Sequence, residues 1–442
     1  MRNFKPLLAG LAGALLLAGC SLTEDYFGEK EPPPLPGKRE AILETGRGLV
    51  ADPALARLPV ILPPQVRADW PVSGGHPANA GGHLAWGGAA APAWRIDAGA
   101  GAQDEAQRPL STPVVSNGRV YVLDAELTVR AFDAASGASL WSVDTAPEGE
   151  DDGFGGGLAT DGARLYVAGG HAQALALTAA DGQEVWRYRL PGPARAAPAL
   201  ANRLLVAATV DDAVVGLDAA SGEKIWSVPA SSEGASLLGG APPTVYGNAV
   251  IAAFTYGDLV VFRLQDGQEM WRASLGSIRR YDFGAKFSDF GAPPAVAGDI
   301  LYASSAAGRT AALAMQTGGT LWENRLGGPS GVWVAGEFLF LITDTSDLVC
   351  LYRRDGRIRW VQPLPRFEDP EDQSGPLTYT GPVLAGGRLL LTRSSGGLLQ
   401  YDPTTGAKLA ELPTGGDIYL PPIVANGTVY TLTNGGTLSA FR

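Results

Sequence analysis

An all-β fold, an eight-bladed β-propeller built from four-stranded antiparallel blades, follows from three observations: a long-period repeat, the turn signals inside it, and a strand left unpaired near the N-terminus. Seven glycines carry the repeat: Gly137, Gly182, Gly222, Gly267, Gly318, Gly356 and Gly406. Each follows a short strand and a tight polar turn. Four positions further on stands a tryptophan in six copies, Trp141, Trp186, Trp226, Trp271, Trp322 and Trp360, and Ala410 in the seventh. Successive glycines are 45, 40, 45, 51, 38 and 50 residues apart. A period of this size with only strand and turn signals inside it describes propeller blades.

Within one repeat four strands are expected. Ala241 to Val245 opens the first, Ala249 to Thr255 forms the second, Asp258 to Leu264 the third and Glu269 to Ser274 the fourth. Asp266-Gly267 turns the third strand into the fourth. Pro242 and Pro243 stand where a strand begins, a position that tolerates a residue without an N–H. Pro113, Pro198, Pro293, Pro382 and Pro421 recur in the same place. Seven sets of strands end at Trp141 through Ala410. An eighth, Pro421 to Phe441, lacks its fourth strand, while Ala93 to Asp97 is a fourth strand without a blade. The N-terminal strand therefore completes the C-terminal blade, which closes the ring and removes the free sheet edge. Trp94 in that strand and the six repeat tryptophans are expected to pack between neighbouring blades.

The chain is 18% charged and 45% hydrophobic, with 59 glycines and 33 prolines, as a folded all-β protein with many turns requires. A net charge of −11 argues against a nucleic-acid partner, which needs a basic face. Two cysteines, Cys20 and Cys350, build neither a disulfide framework nor a cysteine metal site. His76, His83 and His171 lack metal-ligand spacing, and no nucleophile elbow occurs. Cys350 lies in an apolar strand and reads as a core thiol. Gly153 to Gly157 is not placed between a strand and a helix, so it is a weak phosphate-loop signal. Glu148, Glu150, Asp151 and Asp152 match no calcium loop. No catalytic residue, metal or cofactor is expected.

The N-terminus reads as a targeting segment. Arg2 and Lys5 precede an apolar run from Leu7 to Ala18, too short to span a bilayer comfortably. Leu17-Ala18-Gly19-Cys20 resembles a bacterial lipobox, which implies cleavage of residues 1–19 and lipidation of Cys20. Ser21 at the next position, by resemblance to Gram-negative lipoproteins, implies sorting to the outer membrane. Residues 20–68 are polar and proline-rich and are expected to form a tether, with the propeller over 69–442. Trp70 to Pro77 reads as a lead-in packed on the propeller. The acidic stretch Arg366 to Ser374 reads as a solvated loop.

Leu217-Asp218-Ala219-Ala220-Ser221-Gly222-Glu223-Lys224-Ile225-Trp226 resembles the tryptophan-docking motif of quinoprotein propellers. Two families share it: the pyrroloquinoline quinone dehydrogenases and the BamB lipoproteins of the outer-membrane β-barrel assembly (BAM) complex. The dehydrogenase resemblance implies calcium, a catalytic aspartate and, in several members, vicinal cysteines, which this chain lacks. The BamB resemblance covers the whole mature chain: lipobox, spacer and eight lean blades. It implies a non-enzymatic periplasmic scaffold, anchored in the outer membrane, that binds the POTRA domains of BamA and receives unfolded outer-membrane proteins. A propeller lipoprotein for another ligand is a further alternative.

In the BamB family two neighbouring inter-blade loops contact BamA. By position they correspond here to the connection after Trp226, with Ser236, Leu237 and Leu238, and the connection after Trp271, with Arg279, Arg280, Phe287 and Asp289. The first lacks the family's arginine, with Gly239 in its place. In the second, Asp289 matches one of two acidic positions and Gly291 replaces the other. Exposed leucines in a loop and an arginine pair on an acidic protein suit a partner site. Leucines tucked under their own loop and solvated arginines are the alternative.

Overall fold

Eight four-stranded antiparallel sheets form a β-propeller in a computed structural model that describes residues 49–60, 63–102, 110–147, 155–194, 196–211, 213–229, 241–254, 257–276 and 291–442. The innermost strands of blades 1 to 8 are Val114–Ser116, Gly156–Thr160, Ala199–Ala201, Thr244–Tyr246, Ala295–Ala297, Val332–Ala335, Tyr379–Ala385 and Ile423–Ala425. Blade 8 takes its outer strand from the other end of the chain: Trp94–Asp97 pairs with Thr437–Phe441 in the register Trp94↔Ala440 to Asp97↔Thr437. The closure expected from sequence is thus the one observed.

The repeat motif shows why its residues recur. The outer strand of each of blades 1 to 7 meets the third strand with a one-residue register shift, at Ala131/Phe132, Gly216/Leu217 and the equivalent pairs. Such a bulge bends a strand and re-aims its side chains. The indole that follows reaches the next blade. Trp94, Trp141, Trp186, Trp226, Trp271, Trp322 and Trp360 donate their ring N–H to the carbonyls of Ala134, Ala179, Ala219, Leu264, Met315, Arg353 and Pro403, at 2.8 to 3.3 Å. Every acceptor lies just past the end of the neighbouring blade's third strand. The ring covers that blade's turn glycine: a Cβ on Gly222 would stand 2.5 Å from the Trp186 ring, and its φ of +76° is left-handed. Glycine is required there twice over, for backbone and for contact.

Ala410 breaks the pattern on blade 7, yet the junction of blades 7 and 8 is not without an indole. Trp86, from the segment before the first blade, is buried and donates its ring N–H to Phe441 O at 3.2 Å, at the end of blade 8's third strand. Arg388 of blade 7 lies 5.7 Å above the same ring. All eight junctions therefore carry a tryptophan, seven from the preceding blade and one from the lead-in.

The lead-in itself fills the central channel. Its backbone bonds the inner-strand ends of successive blades: Arg67 O takes the Asn426 N–H of blade 8, Trp70 exchanges two bonds with Val115 of blade 1, and Pro71 O takes Thr160 of blade 2. Pro77 and Ala78 then take Val245 and Val296 of blades 4 and 5, and Gly82 and Leu84 donate to Val334 and Leu384 of blades 6 and 7. Val72 joins the apolar cluster of blades 2 and 3. Segment 67–84 thus makes one turn inside the ring, closing the channel at the end where the inner strands turn outward. Trp70 stacks on Trp333 with ring centroids 6.4 Å apart and planes 8° from parallel. His76 accepts the Ala78 N–H on Nδ1 at 3.1 Å, and burial, aided by the charge of Arg67, holds its pKa below the ordinary 6.5.

The compact unit begins at Leu49, so the described residues 49–60 and 63–68 belong to the same unit as the propeller. Residues 20–48, including Cys20, lie outside the described residues. A short 3₁₀ helix, Pro53–Arg57, lies on blade 6. The residue preceding the docking tryptophan is an exposed apolar one in most blades, such as Ile225 and Met270; in blade 6 it is Arg359, only 5% exposed. Its guanidinium donates to Leu55 O at 2.8 Å, to Ala56 O at 3.2 Å and to Leu58 O, and lies 5.0 Å over Phe338. The acidic stretch read as a loop is a two-stranded hairpin, Phe367–Asp369 with Ser374–Pro376.

Four substitutions probe this packing. Trp86→Ala should destabilise the fold by about 3–5 kcal/mol, as a docking tryptophan does, and Gly222→Ala by about 1–3 kcal/mol; urea unfolding reads both. For His76 the unfolded state binds the extra proton, so stability is full above pH 6.5 and is lost as pH falls through the lowered folded value. Unfolding midpoints across this window should slope in the native chain and flatten in His76→Gln. Arg359→Ala leaves buried carbonyls unmet, about 1–3 kcal/mol each, and limited proteolysis should then cut residues 49–60 before the blades.

Candidate functional site

Connections between blades all arrive on the face where the inner strands begin, opposite the plugged end. The first connection of interest leaves the outer strand of blade 3, Lys224–Pro229, and enters the inner strand of blade 4, Thr244–Tyr246. The second runs from Glu269–Ser274 of blade 4 to Ala295–Ala297 of blade 5. Ser236, Leu237, Leu238, Arg279, Arg280, Phe287 and Asp289 belong to stretches 230–240 and 277–290, outside the described residues. What is described is the root of each connection.

Those roots touch. Ala241, where the first connection ends, and Leu275, where the second begins, are each 3% exposed and share one apolar cluster with Ala78 of the plug. Thr244 Oγ donates to Pro294 O at 2.8 Å, tying the ends of both connections together. Asn79 of the plug donates its amide to Thr244 Oγ at 2.7 Å and to Pro294 O at 3.2 Å. The base of the second connection is clamped by blade 5: Ser305 Oγ donates to Leu275 O at 3.1 Å, and Arg309 to Gly276 O at 2.7 Å. Glu323 holds that guanidinium from the other side at 2.6 Å. Sequence reading passed over Asn79, Thr244, Ser305 and Arg309. Their roles depend on contacts across blades, and their local sequence carries no signal of it.

Beside these roots the channel opens as a cup of ≈ 350 Å³. Trp70 and Asn79 of the plug contribute to its floor, and its rim includes Pro242, Pro293, Tyr379 and Tyr419. None of the described lining side chains is an aspartate, glutamate, lysine, arginine or histidine. Burial pushes the Tyr379 phenol up to about 12, so it too is neutral at physiological pH. Cys350, expected in the core, is fully buried in blade 6, and burial raises its thiol pKa. Among the described residues no group of three or more His, Cys, Asp or Glu is placed to hold a metal ion. No described helix is long and apolar enough to cross a membrane.

Comparison with known proteins gives a consistent family. The family model described as outer membrane protein assembly factor BamB matches residues 63–150 and 125–362. A relative of that name from Shewanella oneidensis is 24% identical over 355 residues, covering 78% of this chain and 87% of its own. Among solved structures, BamB from Moraxella catarrhalis superposes with a TM-score of 0.66 at 17% identity, over 79% of this chain and 99% of its own. Quinohemoprotein alcohol dehydrogenase from Comamonas testosteroni gives 0.65 at 15% identity, over 88% and 83%. At these identities the two structures speak for the fold alone.

Proposed function

This chain belongs to the family of outer membrane protein assembly factor BamB, and on that premise we propose that it is a non-enzymatic scaffold of the outer-membrane β-barrel assembly machinery. In this reading it sits at the periplasmic face of the outer membrane, held by a lipid on Cys20. Two or more acyl chains, at about 0.8 kcal/mol per buried methylene, make a firm anchor. It binds the POTRA domains of BamA through the connections after Trp226 and Trp271, and assists the folding and insertion of outer-membrane proteins.

One observation carries the choice of surface. The roots of these two connections share one apolar cluster, with Ala241 and Leu275 as members, and are joined by the Thr244–Pro294 hydrogen bond. Two loops that start from one fixed base are able to serve one partner, and the sequence of the second carries an arginine pair on an acidic protein, Arg279-Arg280. Fixing the base lowers the ordering cost of binding.

The dehydrogenase-like fold does not change this reading. A quinone bearing carboxylates and a calcium ion needs cationic and carboxylate side chains around it. The described lining of the cup offers neither, so its residues do not fit that cofactor.

The test is binding of this chain, as Cys20→Ala, to the periplasmic fragment of BamA. Leu237→Asp with Leu238→Asp, and separately Asp289→Arg, should each weaken binding about tenfold or more while circular dichroism is unchanged. Binding that ignores all three substitutions would keep the scaffold and remove these loops from it. No binding by the native chain would refute the assignment of partner.

A further inference from the structure

The cup and the acidic hairpin have so far been separate features, but they share a wall. The hairpin lies between the outer strand of blade 6 and the inner strand of blade 7, on the face where the cup opens. Its base is closed by the Leu377 N–H on Arg366 O at 2.8 Å. Tyr379, which lines the cup, donates its hydroxyl to Pro365 O at 2.7 Å and accepts Ser330 Oγ on its carbonyl at 3.0 Å. The hairpin is therefore rooted in the cup wall. Asp369 accepts the Glu371 and Asp372 N–H groups, which shapes the tip. Glu368, Asp369, Glu371 and Asp372 are all exposed, and among the described residues none of them is in an ion pair. Arg366, the cation nearest in sequence, is turned to Thr345 O at 3.0 Å.

The two parts ask for different chemistry. The described lining of the cup is uncharged, and its aromatic and proline walls leave room for an aromatic side chain. The hairpin carries four exposed carboxylates, Glu368, Asp369, Glu371 and Asp372. At about 3.3 Å per residue its tip stands roughly 10–15 Å from its base. A small molecule seated in the cup does not reach that tip. An extended chain does, within about three to five residues.

We infer that the cup and hairpin form one docking site for an extended polypeptide segment, with an aromatic side chain in the cup and lysines or arginines a few residues away against the hairpin. The net charge of −11 favours the approach of such a segment over long range. This site borders the roots of the two connections at Pro242 and Pro293, but it does not rest on the assignment of their partner.

The experiment uses the full chain in detergent and fluorescence anisotropy of a labelled peptide carrying one tryptophan, a glycine-serine spacer of about four residues and three lysines. Saturable binding is expected. It should weaken about tenfold when the peptide's tryptophan becomes alanine, and again when its lysines become glutamates or salt is raised to about 0.5 M. On the protein, Glu368→Lys with Glu371→Lys and Asp372→Lys should reproduce the charge loss. Asp369 is left in place because its carboxylate holds the tip. Thr378→Trp, at an exposed position on the cup lining, should block the aromatic side chain. Both changes are on exposed positions, so the fold is not at stake. No saturable binding, or binding indifferent to both protein variants, overturns the site. Equal competition by N-acetyl-tryptophanamide alone would make the cup a small-molecule pocket and overturn it as well.

Discussion

Indole over glycine is the contact on which the whole ring depends. A four-stranded blade cannot bury both of its faces alone, so each must be covered by its neighbours. The tryptophan of one outer strand supplies the apolar area, and its N–H meets a carbonyl that would otherwise lose its water. The opposing glycine supplies the space. Because the acceptor lies one or two residues past the neighbour's third strand, the contact also fixes the offset between blades. The one junction that cannot follow the rule explains itself. Blade 8's third strand and its outer strand come from opposite ends of the sequence and are not joined by a turn. No turn glycine stands there to receive a blade 7 indole, and Ala410 is sufficient. Trp86 reaches the same junction from inside the channel.

A ring of eight blades leaves a hole at its centre, and the plug determines what that hole becomes. By bonding inner strands around the circle, segment 67–84 adds a second closure to the one made by Trp94–Asp97. It blocks one end of the channel and turns the other into a cup. Asn79 then reaches from the plug to Thr244 and Pro294. The internal closure therefore holds the roots of the two connections. A substitution deep in the channel acts on those roots through this hydrogen-bond set.

Most of the fold was legible in the sequence, because the glycine–tryptophan spacing repeats and the end strands fail to balance. What was not legible has a common cause. The plug reads Pro71-Val72-Ser73-Gly74-Gly75-His76-Pro77, a composition of turns. Its bonds are made by backbone to strands up to about 350 residues away, and backbone bonding leaves little trace in side-chain pattern. Arg359 stands in a slot that is apolar on other blades, a departure visible in sequence, but its meaning needs the 3₁₀ turn that covers it. The hairpin strands are three residues each, Phe-Glu-Asp and Ser-Gly-Pro, and Glu, Asp, Gly and Pro are residues that strands disfavour. The partner residues were placed only by resemblance. Their roots, not their side chains, are what the structure describes.

The same blades serve enzymes and assembly factors, so the difference must lie in what faces the channel mouth. An enzyme that grips a charged cofactor needs ionised side chains inside a low-dielectric cup, each stabilised by a partner. Here the described lining contains none, and several of its polar groups are committed to the protein itself: Asn79 to Thr244 and Pro294, Ser330 to Tyr379 O, Tyr379 to Pro365 O. Charge appears instead on the elements that stand outside the cup, on the hairpin carboxylates and in the sequence of the second connection. Exposed charge costs little desolvation and acts over about a Debye length, which suits capture and orientation of another chain more than chemistry on a bound molecule. A neutral, rigid centre with charge on protruding elements is the distribution expected of a surface that reads polypeptides.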